Sequence, residues 1–302
     1  MPVVYMKLKY ILWFKDVRAK DVPLVGGKNA SLGEMLSQLT KKGISVPDGF
    51  ALTTRAYWRY LEANHINQEL KEIFGKFDPK NIESLQKTGK LSRELILRGE
   101  IPTDLKEEII ATYQALGKKY GENSVVAVRT SGVAEDTADA SFAGQFETYL
   151  NVSGEEKLLE AVKNSIASTF TDRAITYREE KGFSQLKLGL SIGVQKMVRS
   201  DLASAGIIFT LDTESGFRDV VIINSIFGVG EMIVKGKITP DQFTVFKPTL
   251  SQGYKPIITK NLGRKAIKYI FDQKGGLKEI GVGLKEQAIF SLTDEEILKL
   301  AR

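Results

Sequence analysis

The chain has 302 residues, 42% hydrophobic and 26% charged, a balance that excludes a disordered chain and a length that points to two lobes. It has no cysteine, which excludes disulfides, zinc–thiolate centres and cysteine nucleophiles and makes the cytoplasm the expected compartment. Its net charge of +6 comes from lysines scattered among acids, as in KKYGEN and REEKGF, so a solvated basic surface or a polyphosphate ligand is expected, and nucleic acid is not. No apolar run is long enough to span a bilayer. The leading MPVVYMKLKYILWFKD carries lysines inside its apolar stretch and no cleavage site, so neither a membrane segment nor a signal peptide is expected.

KNASLGEMLSQLTKKG, residues 28–43, places Leu32, Met35, Leu36 and Leu39 at helical spacing and stops at a glycine. VPDGFALTT reads as a turn and a short strand, after which Thr53 or Thr54 caps a helix with Tyr57, Trp58 and Leu61 on one face. Residues 104–121 form a helix with Leu105, Ile109 and Leu116 inward, and 155–172 another with Leu158, Val162, Ile166 and Phe170. Strand period then takes over at Leu186, Leu188, Leu190, Ile192 and Val194. AGIIFTL and DVVIINSIF are β runs joined by the polar turn DTESGFR, and DQFTVFKP and KAIKYIF are further strands. Thr293, followed three residues on by Glu296, opens a last helix. The chain thus reads as a mixed α/β lobe over residues 1–195 and a strand-rich lobe over 196–290.

Two familiar phosphate motifs are excluded. VGGKNAS is not a P-loop, because Val22 and Asn29 stand where that motif needs Gly and Ser/Thr; FGVGEMIVKG is not a dinucleotide fingerprint, because Ile233 replaces its third glycine. Lys28, after two glycines at a helix start, is either a cation in a helix-terminus anion site or a solvated lysine on a turn. Arg129 ends the strand SVVAV. The small, polar residues after it either lie flat over a polyphosphate or form a surface loop, and their acids Glu135, Asp136 and Asp139 must face solvent in the first case. Glu231 follows a Gly-x-Gly turn, and Asp241 and Gln242 begin the next strand. Hard oxygens from two such segments suit Mg²⁺ carrying phosphates, and surface acids are the plain alternative. VQKMV offers backbone groups to an adenine ring or packs in the core. His65, the single histidine, reads as a surface or capping residue rather than a phosphoryl acceptor.

GGKNASLGEM, VPDGFALTT, VAVRTSGVAEDTADASFAGQFETYLNV, FTDRAITYR, GVQKMVRSD, FTLDTESGFRDVV and GVGEMIVKGKITPDQF follow one another here in an order that resembles the phosphoenolpyruvate synthase (pyruvate, water dikinase) family. DTESGFRD is closer to the synthases than to pyruvate phosphate dikinase or the rifampin phosphotransferases. The resemblance implies an α/β (α+β), ATP-grasp-like two-lobed nucleotide-binding fold. It implies ATP and Mg²⁺ as ligands. Lys28 and Arg129 would contact the phosphates and serve catalysis. The small-residue segment, with Ser141 and Gly144, would close over ATP. Gln195, Met197 and Val198 would line the adenine pocket. Glu231 would bind the metal, with Gln242 beside it. VRTSGVAED departs from the usual VRSSATAED at Thr130 and Gly132, a mild change.

Family enzymes convert ATP, pyruvate and water to AMP, phosphoenolpyruvate and phosphate through a phosphohistidine domain and a pyruvate-binding domain. No motif resembling the histidine carrier is found here. Residues 291–302 would open a linker helix to the histidine domain, and this chain would be the phosphoryl-donating part of a larger or split enzyme. The alternatives are a non-catalytic nucleotide-binding or partner-docking module of the same fold, and the ATP domain of a related dikinase.

Overall fold

The computed structural model describes residues 9–133 and 147–302, which form two compact units, one ending at Met197 and one beginning at Val198. The expected Ser141 and Gly144 lie outside the described residues. Among those described, no helix is long and apolar enough to cross a membrane.

The first unit is built on an antiparallel sheet of β1 (Ile11–Trp13), β2 (Gly49–Leu52), β3 (Val126–Gly132), β4 (Thr148–Val152) and β5 (Leu190–Lys196), in the order β1-β2-β5-β3-β4. Helices α1 (Val22–Leu39), α2 (Thr54–Ala63), α3 (Ile66–Phe74), α4 (Ile82–Arg98), α5 (Thr103–Tyr120), α6 (Glu155–Ser168) and α7 (Asp172–Glu180) accompany it. Strand alternation divides the sheet into two faces. Phe50, Leu52, Val126, Val128, Ile192 and Val194 pack with Tyr60, Leu95, Ile109 and Leu158 into the main core. On the other face Ala51 packs with Phe14, Val17 and the α1 residues Val25 and Ala30.

Periodicity located α1 but misjudged its contact. Met35 is exposed, and Leu32 and Leu36 are only partly buried; the residues α1 buries are Val25, Gly26, Asn29, Ala30 and Gly33. Small side chains let the helix approach the sheet closely, which a hydrophobic stripe does not signal. The strand expected from Leu186 begins at Leu190, and the helix expected over 155–172 ends at Ser168, after which Thr171 caps α7 with its hydroxyl accepting from Ala174 N.

The second unit holds an antiparallel sheet, β6-β7-β8-β9, of Ser204–Phe209, Val220–Phe227, Asp241–Phe246 and Ile257–Asn261. A hairpin of β10 (Ile267–Phe271) and β11 (Leu277–Gly281) joins it, with α8 (Glu231–Val234), α9 (Lys247–Ser251), α10 (Leu284–Gln287) and α11 (Asp294–Ala301). Val221, Ile223, Phe243 and Val245 point to one side of the sheet and pack with Leu250, Ile297 and Leu298. α11 is thus anchored in this core, and its start carries the expected capping box between Thr293 and Glu296. The observed class is α+β with antiparallel sheets.

Candidate functional site

α1 is broken at Gly26, whose φ of 72° is left-handed, so helical geometry restarts immediately before Lys28. Glycine is required there: the φ is positive, and a Cβ would stand 2.3 Å from Ser131 O. The new helix start is tied to the sheet on both neighbouring strands. Asn29 N donates to Ser131 Oγ at 3.2 Å on β3, and Asn29 Nδ2 to Ser191 Oγ at 3.0 Å on β5. Ser191 Oγ in turn donates to Leu52 O at 2.6 Å on β2. Lys28, half-buried, is therefore held over the α1 face of the sheet by the residue that follows it.

Arg129 points to this same face, because it alternates in step with Ser131 on β3. Its register partner on β5 is Gly193, and Ala127 is opposite Gln195, so Gln195 lies diagonally next to Arg129 on that face. The Arg129 guanidinium is half-buried, and its Nε has no hydrogen-bond partner among the described residues. Burial alone pushes its pKa down from the ordinary arginine value. The Asn29 Oδ1 beside Gly193 is another buried polar atom without a partner among the described residues. Donors and acceptors left unsatisfied in a packed sheet are costly unless a ligand meets them.

The expected adenine-side residues are largely committed within the protein. Gln195 is buried and donates from Nε2 to Pro47 O at 3.0 Å. Met197 N donates to Val125 O at 2.9 Å, and its Sδ accepts from Asn151 N at 2.9 Å. Val198, in the second unit, is exposed.

In the second unit Glu231 opens α8 after the turn at Gly228–Gly230, where Val229 N donates to Tyr269 O at 3.0 Å. Its carboxylate is 23% exposed and accepts from Lys235 Nζ at 2.9 Å, one turn on. Gln242, exposed on β8, is opposite Asn224 on β7 and Asn261 on β9. A lone carboxylate and an amide suit Mg²⁺, which fills its remaining positions with water and substrate phosphates. A protein-built cage is a different matter: among the described residues no three acids or histidines stand together.

Asp241, read from sequence as a second hard oxygen, does not join them. It is fully buried, faces the opposite side of β8, and ion-pairs with the buried Lys265 at 2.5 Å. Its parity with Phe243 and Val245 in DQFTVF carried that signal. His65 is exposed at the N-cap of α3. The Asn29–Ser131–Ser191 tie was not foreseen, and small polar residues inside GGKNAS, VRTS and LSIG were its only trace.

The family profile of the pyruvate phosphate dikinase AMP/ATP-binding domain matches residues 22–302. The chain is 49% identical, over 97% of its length, to a phosphoenolpyruvate synthase of Aquifex aeolicus and 47% identical, over 99%, to one of Synechocystis. It is 48% identical, over 98%, to one of Helicobacter pylori. It spans 34%, 38% and 37% of these three relatives.

Proposed function

The chain belongs to the pyruvate phosphate dikinase AMP/ATP-binding domain family, and from that premise we propose that it binds ATP and donates a phosphoryl group to a histidine on another domain or chain. The observation that carries the proposal is Arg129: a half-buried guanidinium whose Nε has no partner among the described residues, on the sheet face over which Asn29 fixes the start of the Lys28 helix. Polyphosphate oxygens are strong acceptors, and two cations beside a helix N-terminus suit them.

In this reading Lys28 and Arg129 hold the phosphates. They offset the charge that spreads over the transferred group's oxygens, the main task in phosphoryl transfer. Gln195, Met197 and Val198 lie toward the adenine, where carbonyls and apolar atoms would do the recognition because the Met197 N–H is already bonded to Val125. Ser141 and Gly144 belong to the segment that would cover the phosphates. Glu231 and Gln242 would hold Mg²⁺, which supplies charge neutralisation and geometry to the phosphates. Lys235, paired with Glu231, balances that carboxylate in the free protein. The architecture would be of the ATP-grasp type. The whole enzyme would be a cytoplasmic phosphoenolpyruvate synthase making phosphoenolpyruvate, AMP and phosphate from ATP, pyruvate and water.

Equilibrium binding of ATP to the Arg129→Ala and Lys28→Ala variants tests this reading. Each should weaken binding by roughly 1.5–3 kcal/mol, the worth of a hydrogen bond to a charged group. Wild-type affinity in both variants would refute the phosphate assignment.

A further inference from the structure

We infer that the buried Asp241–Lys265 pair is a positioning device for Gln242, fixing the start of β8 so that the Gln242 amide meets the nucleotide; this rests on the nucleotide reading above. Both side chains are 0% exposed. A buried ion pair is a poor way to gain stability, since apolar residues of similar volume serve as well or better. Its geometry suggests another reason for it.

Each carboxylate oxygen takes two donors. Asp241 Oδ1 accepts from Gly263 N at 2.8 Å and Lys265 Nζ at 2.5 Å. Oδ2 accepts from Ser291 N and Ser291 Oγ, both at 2.7 Å. The Ser291 hydroxyl proton is thus directed at Asp241, so its oxygen accepts from Ser225 Oγ at 2.5 Å. Ser225 is the register partner of Asp241 on β7. Lys265 Nζ is completed by Gly263 O at 3.1 Å and by the Phe227 ring, 5.8 Å from its centroid.

One side chain therefore binds the loop after β9 and the segment before α11 to the first residue of β8, and through Ser291 Oγ it is linked to Ser225 on the neighbouring strand. Register is the property this controls, because a one-residue slip would exchange the faces of the strand and turn Gln242 into the core. With Asp241 held, Gln242 must project from the opposite face, level with Asn224 and with Asn261, whose Nδ2 donates to Gln242 Oε1 at 3.5 Å.

The test is calorimetric binding of ATP, with and without Mg²⁺, to wild type, Gln242→Ala, Asp241→Leu/Lys265→Met and the triple variant. The paired apolar replacement removes both charges and keeps the volume, so the fold should survive while β8 loses its anchor. Positioning predicts that the pair variant loses Mg²⁺-ATP affinity roughly three- to tenfold, the worth of one neutral hydrogen bond. It also predicts that Gln242→Ala loses as much, and that the triple variant loses no more than either. A folded pair variant with wild-type affinity, or losses that add in the triple variant, would overturn the positioning role alone. Wild type that binds no ATP in either condition would overturn the nucleotide reading and this inference with it. Should the pair variant not fold, Ser291→Ala, which removes one donor to Asp241, decides: a loss absent in the Gln242→Ala background supports positioning, and no loss overturns it.

Discussion

Arg129 sets folding and binding against each other. A guanidinium that burial makes harder to charge, with no partner on Nε among the described residues, costs the free protein stability. Arg129→Met should therefore leave the unfolding midpoint of the nucleotide-free protein unchanged or raised, while lowering ATP affinity. A midpoint lowered by several degrees in differential scanning calorimetry would mean that Arg129 is structural. Tyr57 supports a pH prediction. Its buried phenol is pushed up to about 12 by desolvation, against the opposing pull of Arg178. A folded-state pKa above the unfolded one favours the fold below about pH 10, and this contribution is lost as pH rises toward 12. Chemical denaturation should show that the stability of wild type relative to Tyr57→Phe is constant below about pH 9 and falls as pH rises from about 10 toward 12; a flat difference would contradict it. At this scale motif resemblance singled out Lys28, Arg129 and Glu231, and their roles stay proposals; the fold puts Lys28 just after the break in α1, Arg129 on the sheet face that α1 covers, and Glu231 at the start of α8. The sequence was misleading at Asp241, where an acid at the start of a strand looked like a hard-oxygen ligand and alternation turned it inward.

At the scale of elements, the approach of α1 to its sheet carries the account. Asn29 Oδ1 stands 2.3 Å from where a Cβ on Gly193 would be, so Gly193→Ala must push α1 away or tilt Asn29 out of its bond to Ser191. Overpacking of this kind costs about 1–3 kcal/mol, and here it should also weaken ATP binding, because Lys28 moves with Asn29. Denaturant titration and ATP binding measured together check both effects; an alanine variant normal in each would remove Asn29 as the clamp. Helix spacing located α1, α2, α5 and α6, and β runs located β6, β7, β8 and β10, while β9 and β11, whose residues are mostly exposed, went unforeseen. Periodicity could not reveal which face of α1 would be buried. A contact made by asparagine, alanine and glycine leaves no apolar stripe, and its hydrogen bonds join residues more than a hundred positions apart.

At the scale of the whole molecule, the chain spans 34–38% of the three relatives described above, so the reaction proposed for it is a share of a larger one. The phosphoryl acceptor is expected outside this chain. His65 is exposed, but it is fixed at the junction of α2 and α3, where Ile66 and Leu70 are buried. That position is not on the sheet face proposed to hold the phosphates, and in-line placement of the acceptor supplies most of the catalysis in phosphoryl transfer. Incubation with radiolabelled ATP should leave no acid-labile phosphate on His65; a label lost in His65→Asn would contradict the donor-only role. The most direct test of the central claim is a calorimetric titration of Mg²⁺-ATP into wild type and into the Lys28→Ala/Arg129→Ala double variant, with circular dichroism to establish that both are folded. Wild type should bind saturably and one-to-one, and the folded double variant should lose that binding. Equal binding by the two proteins, or none by wild type, would contradict the claim.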